Sequence, residues 1–227
     1  MIEQPGQWAT PNHQIRIKVF NDIRTKALSL LDSDNRSALF PLHTVLFPGC
    51  RLPLKIFEQR YLRLVKSCLR DCHGFVVILI SAGKEVNDTP ETYRIGSFVE
   101  ITDWDSLEDG LLGITIEARY RVRVSRPSVQ DDGLMTGQIE PLPVREPAAL
   151  AAIENLSDLV DTLKQLEQHP YIDRQTQAID YTSATDISNR LSQLLPIDPL
   201  VKQSLLEIDT TPERIQRLRD LLYQLQQ

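Results

Sequence analysis

The 227-residue chain is 41% hydrophobic and 25% charged, ordinary proportions for a globular fold with a packed core. Its net charge of −6 argues against a protein built around a phosphate backbone, because nucleic-acid affinity rests on an excess of Lys and Arg. Three cysteines make no disulfide framework, no apolar run reaches the roughly 18 residues of a membrane span, and Met1–Gly6 lacks the order of a secretory signal, so a cytoplasmic protein without membrane contact is expected.

Residues 1–13 are polar and proline-containing, and Ile15, Val19, Ile23, Ala27 and Leu30 then recur at helical steps. Residues 1–36 are expected to form an N-terminal extension, partly helical. From Ala38 to Leu54 the prolines Pro41, Pro48 and Pro53 exclude a helix and favour short strands around a turn at Pro48-Gly49. The period changes over Ile56–Cys72, where Phe57, Tyr61, Leu64, Val65, Cys68 and Cys72 share a helical face and Gly74 sits where a left-handed cap belongs. Phe75–Ile80 is short, apolar and rich in β-branched residues, which suits a strand buried on both faces.

After a polar loop over Ser81–Pro90, Tyr93–Trp104 reads as a strand and Leu107–Gly110 as a turn. Leu112–Val124 alternates: the even positions are apolar and the odd ones include Arg119, Arg121 and Arg123. That pattern predicts Ile114 and Ile116 inward and the three arginines outward. Asp131–Gly133 is a turn before a strand at Leu134–Ile139. Residues 37–143 therefore read as a small closed or nearly closed β-barrel with one inserted helix. Residues 144–227 read as a helical bundle, with helices over Glu146–Glu167, around Ile187–Leu195, from Asp198-Pro199 to Glu207, and from Thr211-Pro212 onward. His169–Thr185 reads as an exposed connection. The fold class is α+β.

Little in the sequence promises catalysis. Gly83-Lys84 is followed by Glu85 instead of Ser or Thr, so it opens no phosphate loop, and neither Gly-x-Ser-x-Gly nor His-Glu-x-x-His occurs. Cys68, Cys72 and His73 fit core packing better than zinc. The carboxylate pairs Asp103/Asp105, Glu108/Asp109 and Asp131/Asp132 read as turn residues. No catalytic residue, metal or cofactor is expected. Arg119, Arg121 and Arg123 read first as a charge-paired surface and second as a binder of acidic partners or RNA.

Leu39–Glu58 carries Pro41-Leu42, Val45, Phe47-Pro48-Gly49, Leu52-Pro53-Leu54 and Phe57. This series resembles the opening signature of Lon protease substrate-binding domains. Tyr93-x-x-Gly96, the Leu112–Val124 strand, Leu195-Pro196 and Lys202-Gln203-x-Leu205-Leu206-Glu207 follow in the same order as in that family. The resemblance spans about 38–225 and implies a PUA-like pseudo-barrel joined to a helical bundle. It also implies a recognition domain standing alone, without the ATPase and peptidase of Lon, whose partners are unfolded or extended polypeptide segments. RNA binding through the arginine face is the alternative, less favoured. The residues expected to touch a partner are Phe47, Pro48, Arg51, Trp104, Leu107, Arg119, Arg121 and Arg123, at a barrel edge or in the groove between barrel and bundle. The sequence sets no oligomeric state.

Overall fold

A computed structural model describes residues 35–85, 90–107, 111–143, 156–168 and 179–225. Arg36–Gln227 forms one contact unit and Met1–Asn35 another. The helix expected after Gln14 lies outside the described residues, as do residues 144–155, where the helix expected from Glu146 would begin, and most of the connection after His169.

Seven strands and five helices are described: β1 (Arg36–Leu42), β2 (Arg51–Ile56), α1 (Gln59–Asp71), β3 (Phe75–Ala82), β4 (Glu91–Thr92), β5 (Ile95–Ser106), β6 (Leu112–Val129), β7 (Met135–Leu142), α2 (Ser157–Glu167), α3 (Ala184–Leu194), α4 (Pro199–Glu207) and α5 (Thr211–Leu225). The sheet runs β1-β7-β6-β5-β3-β4, and β1 also pairs with β3 in parallel. That extra pairing closes β1, β7, β6, β5 and β3 into a ring, so most backbone edges of the β part are consumed. Outside the ring, β2 pairs with the first half of β6, Arg51 opposite Glu117 and Ile56 opposite Leu112. The same half of β6 pairs on its other side with Ile101–Ser106 of β5. These segments make a three-stranded arm that runs out from the ring.

Two apolar clusters follow from this topology. Leu39, Val76, Ile78, Val122, Val124, Met135 and Ile139, all from ring strands, pack together as one. The alternate residues Phe40, Leu42, Phe75, Val77 and Leu79 of β1 and β3 belong to the second. This larger cluster takes in Tyr61, Leu64, Val65 and Cys68 of α1, Ile114 and Ile116 of the arm, and Leu163, Ile187, Leu191, Leu206, Ile215 and Leu218 of α2 to α5. β3 is buried on both faces, as its composition requires. The core runs without a break from strands to helices across the seam between them.

Polar residues stitch that seam. The Phe47 N–H donates to Gln193 Oε1 at 3.0 Å, and Gln203 Nε2 donates to the Ile95 carbonyl at 2.9 Å. One helix start carries the cap read from sequence, Asp198 accepting from the Leu200 N–H with Pro199 between them, and α3 is capped by Ser183, which accepts from the Asp186 N–H.

The end of α1 differs from expectation. The left-handed cap is Cys72, with φ 53°, instead of Gly74. Gly74 serves another need, because a Cβ there would stand 2.1 Å from the Val99 carbonyl oxygen, where β3 meets β5. Phe57 lies ahead of α1 and is exposed, and Cys72 is exposed too, so neither joins the buried face. Cys68 does. Its thiol is pushed up to about 12 by burial and stands 3.5 Å from His73 Nδ1. Among the described residues no group of three or more His, Cys, Asp or Glu is placed to hold a metal, and no helix is long and apolar enough to cross a membrane.

Candidate functional site

Two bulges decide which way the residues of interest face. In the β5–β6 ladder Phe98 opposes Tyr120 and Val99 opposes Ala118, which leaves Arg119 as an extra residue. Because side chains alternate along a strand, one extra residue exchanges the two faces. Before it, the even residues Ile114, Ile116 and Ala118 belong to the cluster shared with the helices. After it, Val122 and Val124 belong to the ring cluster, and the odd residue Arg121 turns toward the helices. The expected inward facing of Ile114 and Ile116 holds, at 3% and 0% exposure. The expected outward facing of all three arginines does not.

Arg121 is 1% exposed. Its Nη1 donates to the carbonyls of Leu206 and Ile208, each at 2.8 Å, and its Nη2 meets Asp209 Oδ1 at 3.3 Å. Arg214 reaches the same place from α5, donating to Leu205 O at 3.0 Å, Ile208 O at 2.9 Å and Asn189 Oδ1 at 2.9 Å. The two guanidiniums thus take up the carbonyls left over at the end of α4, as a helix C-terminus needs. Burial lowers the Arg121 pKa. Burial and the neighbouring charge of Arg121 bring Arg214 down to about 10.

The other arginines are paired. Arg51 Nε meets Glu117 Oε2 at 2.9 Å, and Arg119 holds both Glu117 Oε1 and Glu100 Oε2, the latter at 2.7 Å. Glu117 is buried beneath these two guanidiniums. Arg123 is exposed and sits 3.4 Å from Glu140 Oε2. The arginine pattern is therefore a latch, a charge network and one surface pair, and it does not form a continuous basic face for RNA.

The remaining expected contact residues separate as well. Phe47 is fully buried, and Pro48, half-buried, forms with Gly49 a turn closed by the Cys50 N–H on the Phe47 carbonyl at 3.0 Å. Gly49 has φ 79°, as the third position of a type II turn requires. Leu107 is half-buried, with its side chain near Gly113. Trp104 is different: it is 60% exposed.

The second bulge places that indole. Ile101 opposes Ile116 and Asp103 opposes Thr115, so Thr102 is the extra residue in β5, and Trp104 opposes Ile114. Ile114 opposes Leu54 on β2. Directly opposed residues share a face, so Leu54, Ile114 and Trp104 form one cross-strand row on the same side as Leu52, Ile116 and Ile101. The inner end of this face is covered by the core, and its outer end, at Trp104, is open.

The edges of the arm are poor templates for a further strand. Pro53 lacks an N–H on β2. On β5 the N–H groups of Trp104 and Ser106 are taken by Asp103 Oδ1 at 2.9 Å and Asp105 Oδ1 at 2.7 Å. These carboxylates lie within a strand, where the sequence suggested a turn. Sequence reasoning thus missed Leu54, Asp103 and Asp105 as neighbours of Trp104. The signal available was the Asp-Trp-Asp alternation itself, which suits a strand edge better than a turn.

A family profile described as the ATP-dependent protease La (LON) substrate-binding domain matches residues 37–224. Curated relatives include Lon protease of Orientia tsutsugamushi, 27% identical over 89% of this chain and 25% of that protein. Another is a LON peptidase N-terminal domain and RING finger protein of Schizosaccharomyces pombe, 25% identical over 86% of this chain and 47% of that protein. The chain spans about a quarter of the length of the Lon proteases it matches. Among solved structures, a Lon N-terminal domain protein from Xanthomonas campestris is 31% identical, with a TM-score of 0.61 covering 82% of this chain and 97% of that one. The N-terminal domain of a Mycobacterium avium complex Lon protease, 14% identical with a TM-score of 0.53 over 82% of this chain and 96% of that one, shares the fold.

Proposed function

The chain belongs to the family of ATP-dependent protease La (LON) substrate-binding domains, and from that premise we propose that it is a non-catalytic module that recognises extended polypeptide segments on its β-arm. The observation that carries this reading is Trp104, 60% exposed at the open end of an otherwise apolar row. A large aromatic held on a rigid strand and left in water is the residue type that dominates polypeptide interfaces, because it brings much contact area at little entropic cost. Leu54, half-buried, belongs to the same row and offers a second apolar contact. The occupied amides of the arm edge favour docking on this face over addition of a strand. Phe47 and Arg121 act from beneath: they hold the loop and the helices that brace the arm and ring.

The test is fluorescence anisotropy with a labelled polypeptide kept unfolded by reduction and carboxymethylation, compared with the same polypeptide folded. The unfolded form is expected to bind and the folded form to bind much less. Trp104→Ala is expected to weaken binding by about tenfold or more, the effect of losing an aromatic anchor. Equal binding of both forms, or an unchanged affinity in Trp104→Ala, defeats the reading.

A further inference from the structure

Away from the arm, the ladder between β6 and β7 is interrupted between Ser125 and Ser128, and Arg126 stands in that bulge with φ 47°. We propose that the bulge is a binding site for a single phosphate group, seated on the Arg36 guanidinium and the Ser128 hydroxyl. Gln138 opposes both Arg36 and Ser125, and Thr136 opposes both Ala38 and Ser128, so these residues share one face of β1, β7 and β6. The contacts agree. Arg36 Nη2 donates to Ser128 Oγ at 2.5 Å and to Thr136 Oγ1 at 2.9 Å, and Nη1 donates to the Arg126 carbonyl at 3.4 Å. All three acceptors are neutral. Among the described residues Arg36 has no ion pair, and the exposed side chain of Arg126 has no partner.

A guanidinium carries five N–H donors, and Arg36 uses three, which leaves two for a ligand. The Ser128 and Thr136 hydroxyls stand 3.1 Å apart, so one hydroxyl proton lies between them and the other is free to donate. Thr136 is buried and Ser128 exposed, which gives the outward donor to Ser128, and the cation on its oxygen strengthens that O–H. Guanidinium and hydroxyl donors with no carboxylate among them suit an oxoanion. Arg126 leaves the bulge beside the carbonyl that Arg36 touches, and its long side chain supplies a second charge, which favours a dianion over a carboxylate. The rows around the site hold one carboxylate, Glu140, and Arg123 opposes it at 3.4 Å. Asp131 and Asp132 lie in the turn beyond the ladder, where Asp132 pairs with Arg63.

Amide NMR of the full chain, in a phosphate-free buffer at fixed ionic strength, tests the site. Inorganic phosphate and N-acetyl-phosphoserine amide stand for the two sources of such a group, free in solution or on a side chain, and acetate is the carboxylate control. Saturating shifts are expected in the amides of Ser125, Arg126, Ser128, Thr136 and Gln138, with a Kd of about 1 mM or below, and the tighter of the two phosphate probes identifies the source. Acetate is expected to bind about tenfold more weakly. Arg36→Gln is expected to weaken phosphate binding by about tenfold, and Ser128→Ala and Arg126→Gln by about threefold each. The last two residues are exposed, so their variants test the site even where Arg36→Gln loosens the strands. Arg123→Gln, which removes a cation already opposed by Glu140, is expected to leave binding unchanged. No localised shift with either phosphate probe overturns the site. Acetate binding as tightly as phosphate does so too, as do equal losses in Arg123→Gln and Arg126→Gln, the mark of general charge attraction.

Discussion

Replacing Arg121 by Ala removes a buried guanidinium that ties β6 to the end of α4. The carbonyl of Leu206 loses its Arg121 donor, whereas Ile208 O keeps the 2.9 Å bond from Arg214. Leaving one buried carbonyl unsatisfied costs about 1–3 kcal/mol. The void left by a long side chain of 1% exposure adds about 1–2 kcal/mol. Against this, the variant no longer desolvates Arg121, and Arg214 no longer faces a like charge. Asp209 is half exposed and can return to water. The balance is an expected loss of about 2–4 kcal/mol, read from urea denaturation of the full chain as a lower midpoint. Arg121→Met fills much of the void and is expected to lose less. Arg123→Ala, which removes only an exposed pair, is the control and is expected to change stability by about 0.5 kcal/mol or less. An Arg121→Ala protein as stable as the Arg123→Ala control refutes the latch.

Ile116→Ala is expected to cost about 2–5 kcal/mol in the same assay, because Ile116 is fully buried in the shared core; a loss under about 1 kcal/mol contradicts that placement. Gly74→Ala forces a Cβ against the Val99 carbonyl and is expected to destabilise by about 3 kcal/mol, whereas Gly49→Ala, with open space but φ 79°, loses about 1–2 kcal/mol; the reverse order counts against the close approach. Burial raises the Cys50 thiol from its ordinary 9.0 to about 11, so the unfolded chain loses this proton first as pH rises. That share of stability is complete below pH 9 and lost as pH passes through 11, and the fall in midpoint over this window is expected to be shallower in Cys50→Ala; parallel curves refute it.

Local chemistry was legible in the sequence wherever a residue's role depends on near neighbours. The β-branched run at Phe75–Ile80, the Pro48-Gly49 turn, the Asp198-Pro199 helix start and the stripe of Ile215 and Leu218 each specify their own conformation, and each is where the sequence places it. The ordered motifs from Pro41 to Glu207 carried the family resemblance, which the matched profile shows. The arm was less legible. Strict alternation predicts one face for Arg119, Arg121 and Arg123, yet a single extra residue in β6 sends one into a charge network, one into the core and one to the surface. A bulge leaves no pattern of its own in hydrophobicity, because it arises from how β5 and β6 are held in register by everything else packed on them. The same applies to Thr102, whose insertion brings Trp104 onto the row of Ile114 and Leu54, residues far apart in the chain. Period and turn chemistry are properties of the chain, readable from one segment at a time; register and facing are properties of pairs of segments, and only the closed ring with its helices decides them.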